Sequence, residues 1–148
     1  MGSTASSSNS VPREHSPFFL KGVDHIVILV DDLGAAERFY VQTLGCSISN
    51  RIPRLGMTEL RAGSSSVDVV DISAPQGAWA RPNVPGGRNM DHFCLKIDGG
   101  TERDLRQHLA VCGARIRGER RERTSNGEEL SIYVSDPSGN LVELLKRI

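Results

Sequence analysis

The strongest constraint on this chain is an internal repeat. Val23-Asp24-His25-Ile26-Val27-Ile28-Leu29-Val30-Asp31 returns as Met90-Asp91-His92-Phe93-Cys94-Leu95-Lys96-Ile97-Asp98. The Asp-His pair, the run into apolar residues and the closing Asp fall at the same places in both. Each copy reads as a β-strand followed by a helical pattern that stops at a Gly. Two copies of one module imply a pseudo-two-fold fold. Such symmetry would bring the two imidazoles towards one site where a metal can sit.

The 148 residues amount to one domain with enough length to bury a core. Lys plus Arg and Asp plus Glu are 18 each. That balance gives no electrostatic case for a nucleic-acid partner or a membrane surface. Cys46, Cys94 and Cys112 are odd in number and lack C-x-x-C spacing, which favours a reduced, cytoplasmic setting. No apolar run approaches the length of a membrane span.

Residues 1–21 are Ser-rich and aperiodic, so a disordered tail is expected before a domain over 22–148. Phe18-Phe19-Leu20 is too short to be the apolar centre of a secretory signal. The first module spans 22–72 and the second 90–148, joined by a Pro- and Gly-bearing connector over 73–89. In Val23–Val30, His25, Val27 and Leu29 share one face, and Ile26, Ile28 and Val30 the other. Both faces are apolar, as for a strand with a helix on one side and an enclosed pocket on the other. Asp32 caps a helix predicted to run to about Leu44, stopped by Gly45. Strands are predicted at about Ser47–Ile52, Met57–Ala62 and Ser66–Ile72. The second module repeats the order: strand Met90–Ile97, helix from Thr101 to Gly113, and strands from about Arg115, at Glu129–Val134 and at Leu141–Leu145. Thr101 with Asp104 forms a capping box, and Asp136-Pro137-Ser138-Gly139-Asn140 a turn.

The last strands of the modules also correspond. Val67-Asp68-Val69-Val70 and Val142-Glu143-Leu144-Leu145 each set one carboxylate inside an apolar strand. A buried carboxylate is costly unless paired or metal-bound. Singly, a strand His is more often a hydrogen-bonded core residue, and a strand acid a solvated one. Four at symmetric positions favour ligands: His25, Asp68, His92 and Glu143. Imidazoles with carboxylates suit one divalent ion of Zn, Fe, Mn, Co or Ni rather than Ca or Mg.

These motifs are Asp24-His25-Ile26-Val27, Asp32-Leu33, Phe39-Tyr40, Leu44-Gly45, Met90-Asp91-His92-Phe93 and Asp136-Pro137-Ser138-Gly139-Asn140-Leu141-Val142-Glu143-Leu144. From Gly22 onward the sequence resembles the vicinal oxygen chelate superfamily. That superfamily includes glyoxalase I, extradiol dioxygenases, fosfomycin-resistance enzymes, methylmalonyl-CoA epimerase and bleomycin-binding proteins. The resemblance implies an α+β fold of two tandem βαβββ modules, forming a curved mixed sheet around a metal-site pocket. It matches His25, His92 and Glu143 to the metal positions that glyoxalases and dioxygenases share. Asp68 falls where a glyoxalase carries Glu or Gln, and being one methylene shorter it can reach the metal through water.

The implied function is a metal-dependent lyase or isomerase of glyoxalase type, acting on a small substrate that chelates the ion through vicinal oxygens. Glu143 or Asp68 would serve as the proton-moving base. The alternatives are a single-domain ring-cleaving dioxygenase and a non-catalytic resistance-type binding protein. Single-domain relatives imply a homodimer, with the pocket shared between chains or completed within one. Among other residues, Arg117–Arg123 alternates in sign like a solvated strand. Tyr133 and Trp79 fit packing, Cys94 a pocket lining or a small buried hydrophobe, and His108 a half-exposed helix position. Arg54, Arg61 and Arg88 remain equal candidates for a substrate anion.

Overall fold

The computed structural model describes residues 23–80, 90, 92–125 and 127–148. The expected tail, most of the connector's second half and Asp91 lie outside the described residues. The first module runs β1 (His25–Val30), α1 (Leu33–Arg38), β2 (Ser47–Ile52), β3 (Met57–Ala62) and β4 (Ser65–Asp71). The second runs β5 (Phe93–Ile97), α2 (Glu102–Val111), β6 (Arg115–Thr124), β7 (Gly127–Ser135) and β8 (Leu141–Arg147). Each module folds into one four-stranded mixed sheet, ordered β1-β4-β3-β2 and β5-β8-β7-β6. The first strand of each lies parallel to the last.

The local chemistry explains these bounds. Asp32 Oδ1 accepts from Ala35 N at 2.9 Å to start α1. The expected helix to Leu44 is α-helical only to Arg38; Phe39–Thr43 then widens into a π-helical turn. That turn carries Tyr40 into the core, fully buried. The Thr101–Asp104 capping box forms as expected, with Thr101 N donating to Asp104 Oδ2 at 2.7 Å and Asp104 N to Thr101 Oγ1 at 3.2 Å. Gly45 and Gly113 end the two helical segments with φ of 76° and 65°, a conformation that Cβ-bearing residues avoid.

One core serves both modules. Ile28, Val30, Tyr40, Leu60, Val67 and Val69 from the first meet Leu109, Leu130, Ile132, Val134, Val142 and Leu144 from the second. The Asp136–Asn140 turn locks them together. Asp136 is buried, and its Oδ2 accepts from Tyr40 Oη at 3.1 Å and from Asn140 Nδ2 at 2.8 Å. Asn140 Nδ2 also donates to Leu29 O at 2.9 Å, and Ser138 Oγ to Asp31 Oδ1 at 2.6 Å. The motif is therefore both a turn and an inter-module clamp. Among the described residues no helix is long and apolar enough to cross a membrane.

Candidate functional site

With the core on one face of each sheet, strand alternation sends the other residues to an open face. On the first sheet Val27, Asp68 and Glu59 lie side by side across β1, β4 and β3, and His25, Ser66 and Arg61 form the neighbouring row. Val27 is 42% exposed. The enclosed pocket expected on this face is an open surface in the single chain.

His25 Nδ1 donates to Asp24 Oδ2 at 2.8 Å. That bond leaves Nε2 as the nitrogen with a free lone pair, the arrangement by which carboxylates orient metal-binding imidazoles. The hydrogen bond donated to Asp24, followed by the charge of Asp68, raises the His25 pKa. Asp68 is only 7% exposed and its Oδ1 is buried without a hydrogen-bond partner. Burial raises its pKa; His25 opposes the rise and Glu59 adds to it.

The second sheet repeats the arrangement with different neighbours. Cys94, Glu143 and Tyr133 lie side by side across β5, β8 and β7. His92, just before β5, places Nε2 3.0 Å from Glu143 Oε2. The Tyr133 ring stands edge-on to the His92 ring, with centroids 5.4 Å apart. Desolvation of its sulfur, then the Glu143 carboxylate, push the Cys94 thiol up to about 11.

These donors suit a divalent ion. Two adjacent ligands at ~2.1 Å from an octahedral ion sit about 3.0 Å apart, the separation of His92 Nε2 and Glu143 Oε2. The orphaned Asp68 Oδ1 is an acceptor awaiting a cation or a donor. Yet among the described residues no three His, Cys, Asp or Glu side chains converge closely enough to hold a metal. The chain thus presents two separate His–carboxylate pairs, His25 with Asp68 and His92 with Glu143.

Asp24 and Glu59 border the first pair, and Tyr133 borders the second. The Asp-His repeat was the available signal for Asp24. Glu59 and Tyr133 become neighbours of the two acids only through strand register. Trp79 instead donates from Nε1 to Leu55 O at 3.0 Å. His108 Nε2 lies 2.8 Å from Thr43 O, tying α2 to the first module's helical turn.

Similar proteins share this architecture. Virulence protein STM3117 of Salmonella typhimurium is 28% identical over 133 residues, covering 89% of this chain and 88% of that protein. Metapyrocatechase 2 of Cupriavidus necator is 26% identical and covers 95% of this chain, which spans 38% of that protein. The crystal structure of lactoylglutathione lyase from Agrobacterium tumefaciens superposes with a TM-score of 0.63 at 24% identity, over 86% of this chain and 94% of that one. The family profile described as Glyoxalase/Bleomycin resistance protein/Dioxygenase superfamily matches residues 22–144, and the chain belongs to that superfamily.

Proposed function

We propose that the protein is a divalent-metal-dependent lyase or isomerase of glyoxalase type, and that it works as a homodimer whose sites combine half-sites from two chains. The observation that carries this reading is the paired placement of one His and one carboxylate on each open sheet face. β1 and β5 are both edge strands, each paired on one side only, and His25 and His92 lie at their starts. Approach of β1 of one copy to β5 of another would unite the four donors. The in-chain core occupies the opposite faces.

His25, His92 and Glu143 would hold the ion, with Asp68 binding directly or through water. When bound, such an ion polarises two adjacent substrate oxygens and stabilises the negative charge that develops on them. Asp68 is assigned the role of base. Burial raises its proton affinity, and Glu59 beside it favours the protonated form. Glu143 stands beside His92 Nε2, so the two would bind the ion as adjacent ligands. The similarity to metapyrocatechase 2 supports a second reading, a ring-cleaving dioxygenase using His25, His92 and Glu143 as a two-His, one-carboxylate face.

Subunit mixing tests the shared site. His25→Ala and Glu143→Ala chains, each inactive alone, should regain about a quarter of wild-type metal sites when refolded together. Half the dimers are then mixed, and each mixed dimer has one intact site of two. Those sites should turn over the hemithioacetal of a 2-oxoaldehyde with Ni, Co, Mn or Zn. No recovery on mixing would place the site within one chain. Oxygen uptake with a catechol under Fe(II), without hemithioacetal turnover, would favour the dioxygenase.

A further inference from the structure

The open face of the first sheet carries two acids, Asp68 and Glu59, among mostly apolar and small neighbours. Its strand residues are His25, Val27 and Leu29 on β1, Ser66, Asp68 and Val70 on β4, and Met57, Glu59 and Arg61 on β3, with β2 at the outer edge. Arg61 is the one Lys or Arg in those three strands on that face. It is exposed, and among the described residues it forms no ion pair. The other arginines differ. Arg51 is held by Glu37, Arg54 sits in the short helical turn after β2, and Arg88 lies outside the described residues.

From this placement we infer that Arg61 binds an anionic group of the substrate, so that the preferred substrates are vicinal-oxygen chelators carrying a carboxylate arm. The inference rests on the metal-site reading above. Arg61 lies in the same cross-strand row as His25, two strands away, which is about 10 Å between backbones. An extended guanidinium covers most of that distance over Ser66, whose small side chain leaves the path open. A carboxylate held there would stand one to two strand spacings, about 5–10 Å, from oxygens chelated at the His25–Asp68 edge.

Charge balance points the same way. A divalent ion with Asp68 and Glu143 is close to neutral, so it offers an anionic arm little net attraction. Glu59, two residues from Arg61 on the same face, repels it. Arg61 is the one guanidinium on the first sheet's face, and it can offset the lost hydration of a carboxylate there with two parallel hydrogen bonds. A neutral arm gains nothing from Arg61.

Two zinc-chelating probes separate these cases. Acetohydroxamate and succinic monohydroxamate share the chelating head, and only the second carries a carboxylate arm. Calorimetric titration of the zinc-loaded wild-type dimer should show about tenfold tighter binding of the carboxylate probe. Arg61→Met should reduce that preference to within about twofold while leaving acetohydroxamate affinity unchanged. Arg54→Met should keep the full preference, and added salt should erode it. Equal affinity of the two probes for wild type, or an intact preference in Arg61→Met, would overturn the assignment. Absence of zinc uptake and of acetohydroxamate binding in wild type would overturn the metal site itself, and Arg61's role with it.

Discussion

The two modules share a backbone plan but finish their half-sites differently. In the second, Glu143 already meets His92 at 3.0 Å, and Tyr133 braces the imidazole edge-on. In the first, His25 is turned to the exposed Asp24, and Asp68 keeps a buried oxygen without a partner. A buried, unsatisfied acceptor costs on the order of 1–3 kcal/mol. The second pair is thus mutually satisfied, whereas the first leaves a buried acceptor that a proton, a donor or, on the proposed reading, a cation would satisfy. The repeated strands set a His and an acid at matching places, and different strand neighbours surround each pair.

The largest expected effects test that difference directly. In calorimetric zinc titrations, His92→Ala or Glu143→Gln should weaken binding more than about a hundredfold, because each removes a first contact from the preformed pair. Asp68→Asn should cost about tenfold, consistent with a shorter acid that reaches the ion loosely or through water. Asp24→Asn should also cost about tenfold by releasing the His25 ring. A greater loss from Asp68→Asn than from Glu143→Gln would reverse the ranking and make the first module the principal holder.

The turns that join each module's last two strands differ as much as the half-sites. In the first module Gly63-Ser64 is short, and Ser65 Oγ donates to Val23 O at 2.6 Å. In the second, the buried Asp136 carboxylate accepts from Tyr40 Oη, Asn140 N and Asn140 Nδ2. Asp136→Ala would strand the buried Tyr40 hydroxyl and remove two part-buried Asn140 bonds at once, and should destabilise by about 2–4 kcal/mol in urea unfolding. Ser65→Ala, on an exposed bond, should cost under about 1 kcal/mol. Comparable losses would mean that the clamp is not specific to the second module.

Much of this was legible in the repeat. The two repeated strands, the second starting at Phe93 just after His92, the module order, the capping box and the solvated charge of Arg117–Arg123 all follow from local patterns, and the structure carries them. Four things were not. Glu59 and Arg61 become neighbours of Asp68 and His25 through strand register, which one sequence does not print. Asp136 reads locally as a turn residue, while its partner Tyr40 lies 96 positions away. The first helix widens to a π-turn because Tyr40 must reach that carboxylate in the core, and tertiary demand overrides the 3.6 period there. The open faces were read as an enclosed pocket because strand alternation specifies two faces without saying what covers each.

The smallest contrast concerns how each helix is tied to its sheet. Both modules use an acid on the helix and an Arg on the outer strand. Glu37 of α1 accepts from Arg51 Nε and Nη2 at 3.0 Å each, and also from Thr58 Oγ1 at 2.6 Å. Glu102 of α2 accepts from Arg121 Nη2 and from Arg106 Nε at 2.8 Å. Thr58 is fully buried, so Glu37→Gln disturbs a buried hydroxyl as well as an ion pair and should cost about 1 kcal/mol at pH 7. Glu102→Gln leaves only guanidinium groups that water can solvate, so its effect should be smaller and vanish in high salt. The pH dependence sharpens the comparison. Hydrogen bonding from Arg51, opposed by burial and helped by Thr58, lowers the Glu37 pKa below 4.5. A carboxyl more acidic when folded stabilises the fold above its unfolded value, and that contribution disappears as pH falls through the folded value. The wild-type advantage over Glu37→Gln should therefore hold at neutral pH and shrink below about pH 4.5 in denaturant titrations. An advantage unchanged at acid pH would assign it to packing at Thr58 rather than to charge, and would remove the difference between the two helix ties.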